Sequence, residues 1–191
     1  MNARPLSLWL LAAVTLCINA SPGAAQGSGS AQLRPGLQVE IREERYEVEG
    51  ERLRDVIARL NEMRLEGERA RLSQGLTVYR INPRWQYQPD NGSCAVTTVE
   101  VMVDITVKLP RWPGFATATG DERLRWRAIL EGIRNHEYQH RDMTVDSGGE
   151  LVVELTALRA STCRALLRAA EAAVAIADER LSERHAELDG G

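Results

Sequence analysis

The chain has only three histidines and three cysteines, no excess of basic charge and no second long apolar run. Each shortage excludes something. With 24 Lys and Arg against 27 Asp and Glu, the surface cannot act mainly as a nucleic-acid ligand. A single apolar run, at the N-terminus, excludes a polytopic membrane protein. The absence of internal repeats, and of low-complexity sequence beyond one short Gly/Ser stretch, excludes repeat and fibrous architectures.

The chain opens MNARPLSLWLLAAVTLCINASPGAAQ. Arg4 supplies a positive start and residues 6–20 are apolar apart from Ser, Thr and Asn. Ser21, Pro22 and Gly23 then break any helix, and Ala24 and Ala25 are small enough for cleavage. This is the layout of a secretory signal peptide over residues 1–25, cleaved after Ala25. An uncleaved anchor is the alternative, but the run is short for a membrane span. Lipid anchoring through Cys17 is disfavoured by bulky Leu16 before it. The mature chain is expected to be exported, periplasmic or secreted, without a stable membrane span. Cleavage removes Arg4 and no acid, leaving a formal charge near −4. It also leaves only Cys94 and Cys163, which in an oxidising compartment most simply pair, the alternative being two separate buried thiols.

Residues 26–36 read as a flexible Gly/Ser lead, and residues 37–191 as one domain with a real core. Leu37, Val39, Ile41, Tyr46 and Val48 alternate as one or two short strands. Leu53, Val56, Ile57, Leu60 and Met63 recur at helical spacing, with Gly67 as the stop. LTVYRINPRWQYQPDNGS reads as a strand interrupted at Pro83, then a turn over residues 89–92. In CAVTTVEVMVDITVKLP, Val99, Val101, Val103, Ile105, Val107 and Leu109 fall on odd positions and Glu100, Asp104, Thr106 and Lys108 on even ones. That pattern predicts a long amphipathic strand with one face in the core. The second half predicts helices: one capped by Asp121, carrying Trp126, Ile129, Ile133, His136, His140 and Met143 on one stripe and kinked at Gly148 and Gly149, and a last one over residues 163–187. Strands first and helices afterwards give an α+β domain, a small antiparallel sheet followed by a helix pair.

Two of the three histidines lie in HEYQH, residues 136–140. Residues four apart share one helix face, so His136 and His140 can hold one zinc ion, and Glu137 beside them can take a proton from water. Their place on the stripe of Trp126, Ile129 and Ile133 turns them inward, against the reading of a solvated polar face. A pair of hydrogen-bonded core histidines is the remaining alternative. A catalytic zinc takes three protein ligands. If the last two helices turn near Thr162, His185 falls opposite His140 and is the expected third ligand. Glu179 or Glu183 of the last helix, and Asp146 six residues after His140, are alternatives, although Met143 stands where a glycine turn would carry Asp146 back. Glu150 and Glu154 lie too far along a continuous helix.

YEVEG at residues 46–50, LTVYRINPRWQY, Cys94, the valine-rich strand, KLPRW at residues 108–112, HEYQHRD and Cys163 occur in this order. Together they resemble a bacterial domain-of-unknown-function family described as predicted secreted zinc-dependent proteases. The resemblance runs from residue 42 to the C-terminus. It implies a zincin-like fold, zinc as cofactor, His136, Glu137 and His140 as metal-binding and catalytic residues, and Cys94 paired with Cys163. Members of that family often carry Tyr-Asp and then His-Gly near the C-terminus, whereas this chain reads RHAELDGG, so the third ligand does not carry over.

The sequence therefore predicts an exported zinc metallopeptidase with Glu137 as general base and a peptide or protein as substrate. Residues 96–109 are the expected edge strand for substrate. The alternative is a non-catalytic zinc-binding envelope protein that binds a partner or a cell-wall polymer.

Overall fold

A computed structural model describes residues 30–63 and 74–190. The expected signal peptide and the stop at Gly67 lie outside these residues. In chain order the elements are β1 (Ser30–Arg34), β2 (Leu37–Glu47), α1 (Leu53–Glu62), β3 (Leu76–Asp90), β4 (Ser93–Arg111), a short 3-10 turn (Pro113–Ala116), α2 (Gly120–Thr156), β5 (Arg159–Ala160) and α3 (Cys163–Gly190). The class is α+β, one five-stranded sheet with three helices.

The strand order is β1-β2-β4-β3, with β5 pairing the start of β4. β3 and β4 form a long antiparallel hairpin through Asn91 and Gly92, both at positive φ, the chemistry of a tight hairpin turn. β2 runs parallel to β4, from Leu37 opposite Val101 to Glu47 opposite Arg111. The sheet is thus mixed, not antiparallel as the sequence predicts. The physical reason is the long connection: β2 returns to β4 only after α1 and β3, which gives the chain the length a parallel crossover needs. Part of the lead expected to be flexible, Ser30–Arg34, is also a strand and pairs antiparallel with β2.

Val99, Val101, Val103, Ile105, Val107 and Leu109 are all buried, as their alternation requires. The alternation then reverses. Gln86 faces Thr98 while Tyr87 faces Val96, so Thr97 is an extra residue in β4. This bulge turns Cys94 and Val96 to the buried face. Cys94 is there bonded to Cys163 at the start of α3, with a Cα–Cα distance of 5.0 Å. β3 runs through Pro83 without interruption, and it can do so because it is an edge strand, where a missing N–H breaks no second ladder.

α2 lies on the apolar face of β4. Leu151, Val152 and Leu155 join Leu37, Val39 and the β4 valines in the main core. Gly148 and Gly149 do not interrupt the helix. A Cβ on Gly148 would come 2.6 Å from Val103 Cγ2 and 3.2 Å from Leu37 Cδ1, so glycine here permits close approach of helix to sheet. The helix starts at Thr119, not Asp121: Thr119 Oγ1 accepts from Glu122 N, and the Glu122 carboxylate accepts from Thr119 N, a capping box. The same carboxylate accepts from Arg52 Nε at 2.9 Å and from Leu53 N, linking the starts of α1 and α2. These bonds, that of Arg52 first, hold the Glu122 carboxyl down at about 2. A second core, of Val48, Leu53, Val56, Leu60, Trp112 and Trp126, seals α1 against α2.

α3 returns antiparallel to α2, with Arg180 on Glu154 at 3.0 Å and Arg184 near Glu150. No helix among the described residues is long and apolar enough to cross a membrane.

The disulfide fastens the bulged end of β4 to the start of α3. Thiol labelling of the denatured, non-reduced mature chain is expected to find no free cysteine. Closing a loop of 69 residues contributes about 4 kcal/mol in the chain-entropy model, so reduction should lower the denaturation midpoint clearly. Two labelled thiols would refute the bond.

Candidate metal-binding site

The middle of α2 carries the site. His136 is half-buried, Glu137 is 2% exposed and His140 8%. His136 Nε2 and His140 Nε2 stand 3.2 Å apart, with ring planes nearly perpendicular, as two imidazoles one helical turn apart must converge to share one point. The third atom comes from α3: Asp189 Oδ1 is 3.2 Å from His136 Nε2 and 3.0 Å from His140 Nε2. Among the described residues these three make the one group of its kind with the spacing to hold a metal ion.

The triangle fits a small tetrahedral cation. With zinc–nitrogen and zinc–oxygen bonds of about 2.0–2.1 Å, ligand atoms sit roughly 3.3 Å apart. The observed edges of 3.0–3.2 Å are close to that. Two neutral imidazoles and one carboxylate are also a donor set that zinc accepts in catalytic sites.

His185, the third ligand expected from the sequence, is brought to His140 but on its other side. His185 Nδ1 lies 2.6 Å from His140 Nδ1, and so does not join the three-atom group. Its ring stacks on Tyr79, centroids 4.9 Å apart. Glu179, Glu183 and Asp146 are exposed and stand outside the group. Ser182, His185 and Asp189 share one face of α3 at helical spacing and line the cleft, which turns Glu179 and Glu183 to other faces. Asp146 is turned away because α2 continues straight past Met143. Asp189 was legible in principle. The hairpin count that sets His185 opposite His140 sets Asp189 opposite His136, each pair four residues on.

Glu137 points at β3. Its Oε2 accepts from Thr77 Oγ1 at 2.8 Å, and the same hydroxyl lies 3.0 Å from its backbone oxygen. Gly75 makes room for it: a Cβ there would come 2.6 Å from Glu137 Cγ and 2.7 Å from Oε1. Neither Thr77 nor Gly75 could be singled out from sequence, since nothing local marks which strand crosses a helix three elements away. Tyr46 donates its hydroxyl to the Gln74 carbonyl. Burial, and secondarily the charge of Glu137, push its phenol up to about 12.

These residues line a cleft between β3 and α3, with Thr77, Tyr79 and Ile81 on one wall and Asp178, His185 and Asp189 on the other. The wall strand corrects an expectation. Residues 96–109 are not an edge: β4 is paired on both sides, by β2 and β3, so its hydrogen-bonding groups are used. Among the described residues the strands of the β1-β2-β4-β3 order paired on one side only are β1 and β3, and it is β3 that borders the cleft.

Two outcomes follow. Asp189→Ala should weaken zinc binding, measured by competition with a chromophoric chelator, by more than the roughly 10–100-fold that loss of an outer-shell partner costs, while Asp146→Asn should leave it unchanged. The reverse ranking would remove Asp189 from the site. For Tyr46, the phenol pKa is raised in the folded state, so the neutral form favoured by folding contributes stability below pH 10 that is lost as pH rises toward 12. Ultraviolet titration should show a tyrosine step near 12, and Tyr46→Phe should remove it.

No curated protein and no solved structure matches the chain. Residues 43–190 match the model of a bacterial protein family of unknown function, DUF922. That span takes in the sheet from the C-terminal half of β2 onward, all three helices and every member of the His136–His140–Asp189 group, and the chain belongs to this family.

Proposed function

We propose that the protein is an exported zinc-dependent peptidase with a zincin-like helix pair, in which His136, His140 and Asp189 hold the metal and Glu137 is the general base. The observation that carries this reading is the convergence of two Nε2 atoms and one carboxylate oxygen within 3.2 Å of one another, in HExxH order, beside a buried glutamate. Export is supported by the signal-like N-terminus and by the disulfide, a bond that persists in oxidising compartments.

Zinc bound there supplies Lewis-acid polarisation of a carbonyl and a lowered pKa for water. The protein groups do the rest. Glu137 takes a proton from the attacking water as its oxygen bonds to the peptide carbon, then hands that proton to the leaving nitrogen as the C–N bond breaks. Thr77 fixes the carboxylate for this transfer through its bond to Oε2. The open edge of β3 offers backbone N–H and C=O groups to an extended peptide lying in the cleft, so that a substrate is aligned as an added strand.

Metal content and cleavage of a peptide library, assayed for the mature protein and for Glu137→Gln, test the proposal. Bound zinc in both and a loss of about 10²–10⁴-fold in cleavage for the variant is the expected result. Equal cleavage by the two sinks the role of Glu137. Bound zinc with cleavage by neither favours the non-catalytic alternative, a zinc-binding envelope protein for a partner or a cell-wall polymer.

A further inference from the structure

The geometry points to His185 as a positioning residue that fixes the tautomer and orientation of His140 without touching the metal, an assignment that rests on the metal reading above. His140 has two nitrogens with different tasks. Nε2 faces His136 Nε2 and Asp189 Oδ1, whereas Nδ1 faces His185 Nδ1 at 2.6 Å. An imidazole that gives its Nε2 lone pair to a metal keeps its proton on Nδ1. The group that Nδ1 meets is the Nδ1 lone pair of His185, which accepts that proton. Accepting there leaves the His185 proton on Nε2, which lies 3.4 Å from Thr144 Oγ1. The Thr144 hydroxyl spends its own proton on the His140 carbonyl at 2.8 Å.

Each donor in this loop therefore meets an acceptor with every group neutral, and the loop closes on the residue where it began. Two of its three members are buried and His185 is partly so. Thr144 is fully buried, His140 nearly so, and Tyr79 stacks on the His185 ring with an interplanar angle of 26°. The reverse tautomer of His140 would put a proton on Nε2 and remove the lone pair the metal needs. His185 and Asp189 are four residues apart on one face of α3, so that a single helix grips the His140 ring from both sides. Asp189 takes the Nε2 side and His185 the Nδ1 side. Outer-shell partners of metal-bound histidines set ring orientation and ligand basicity in this way, and their loss typically weakens metal binding about 10–100-fold.

The test compares the mature protein with His185→Ala, His185→Gln and His136→Ala, using Zn²⁺ affinity by chelator competition and the visible spectrum of the Co²⁺-loaded protein. His185→Ala is expected to bind about 10–100-fold more weakly with an unchanged Co²⁺ spectrum, and His185→Gln, which keeps an acceptor, to recover most of the affinity. His136→Ala should lose far more and change the spectrum. Unaltered affinity in His185→Ala overturns the assignment. So does a loss equal to that of His136→Ala with an altered spectrum, which would make His185 a ligand. Nitrogen-15 spectra of the unmodified zinc-loaded protein test the same point without any substitution: His185 should be protonated at Nε2 with an unprotonated, hydrogen-bond-accepting Nδ1, and a metal-type shift at either of its nitrogens overturns the proposal. Failure of the unmodified chain to take up Zn²⁺ or Co²⁺ would remove the metal reading itself, an outcome distinct from metal uptake indifferent to His185.

Discussion

The structure depends on one packing contact, the seat of α2 on the buried face of β4. The even spacing of valines in β4 makes an apolar surface that has to be covered, and α2 covers it with Leu151, Val152 and Leu155. Gly148 sets how closely, since any side chain there would meet Val103 and Leu37. The same rigid helix runs on in the other direction to hold His136, Glu137 and His140 over the edge strand β3. Core and site are thus two lengths of one helix. A site built on a helix whose other half is locked into a core keeps its side chains where a loop would let them wander.

α3 supplies what α2 alone cannot. Two imidazoles on one helix define only a line of possible metal positions, and a third donor from a second helix fixes the point. The disulfide at its start, the ion pairs of Arg180 and Arg184 along its length and the two residues at its end that meet His140 hold α3 in one register against α2. The exposed ion pairs contribute little energy individually. Their value is alignment, because a shift of one residue would turn Asp189 about 100° away from the histidines.

Glu137 sits in a different kind of environment from the metal-facing atoms. It is buried, its carboxylate is held by the Thr77 hydroxyl, and Gly75 leaves space for it. Its negative charge is felt at Tyr46, whose phenol is held neutral far above its usual range, chiefly by burial.

The sequence by itself determined the features that are local or periodic: the alternation that buries one face of β4, the helical stripe that turns His136 and His140 inward, a turn within residues 89–92 and the proximity of His185 to His140 by counting from a turn. These follow from pleat and helix periods, which act over a few residues. Only the tertiary structure decided that β2 joins β4 in parallel, that β3 and not β4 is the edge, that Asp189 closes the triangle and that His185 stands behind His140. Strand pairing depends on which neighbour wins a backbone ladder, and periodicity carries no information about that choice. The side from which a residue approaches a ring depends on the roll of one helix against another. That roll is set by the packing of the whole core.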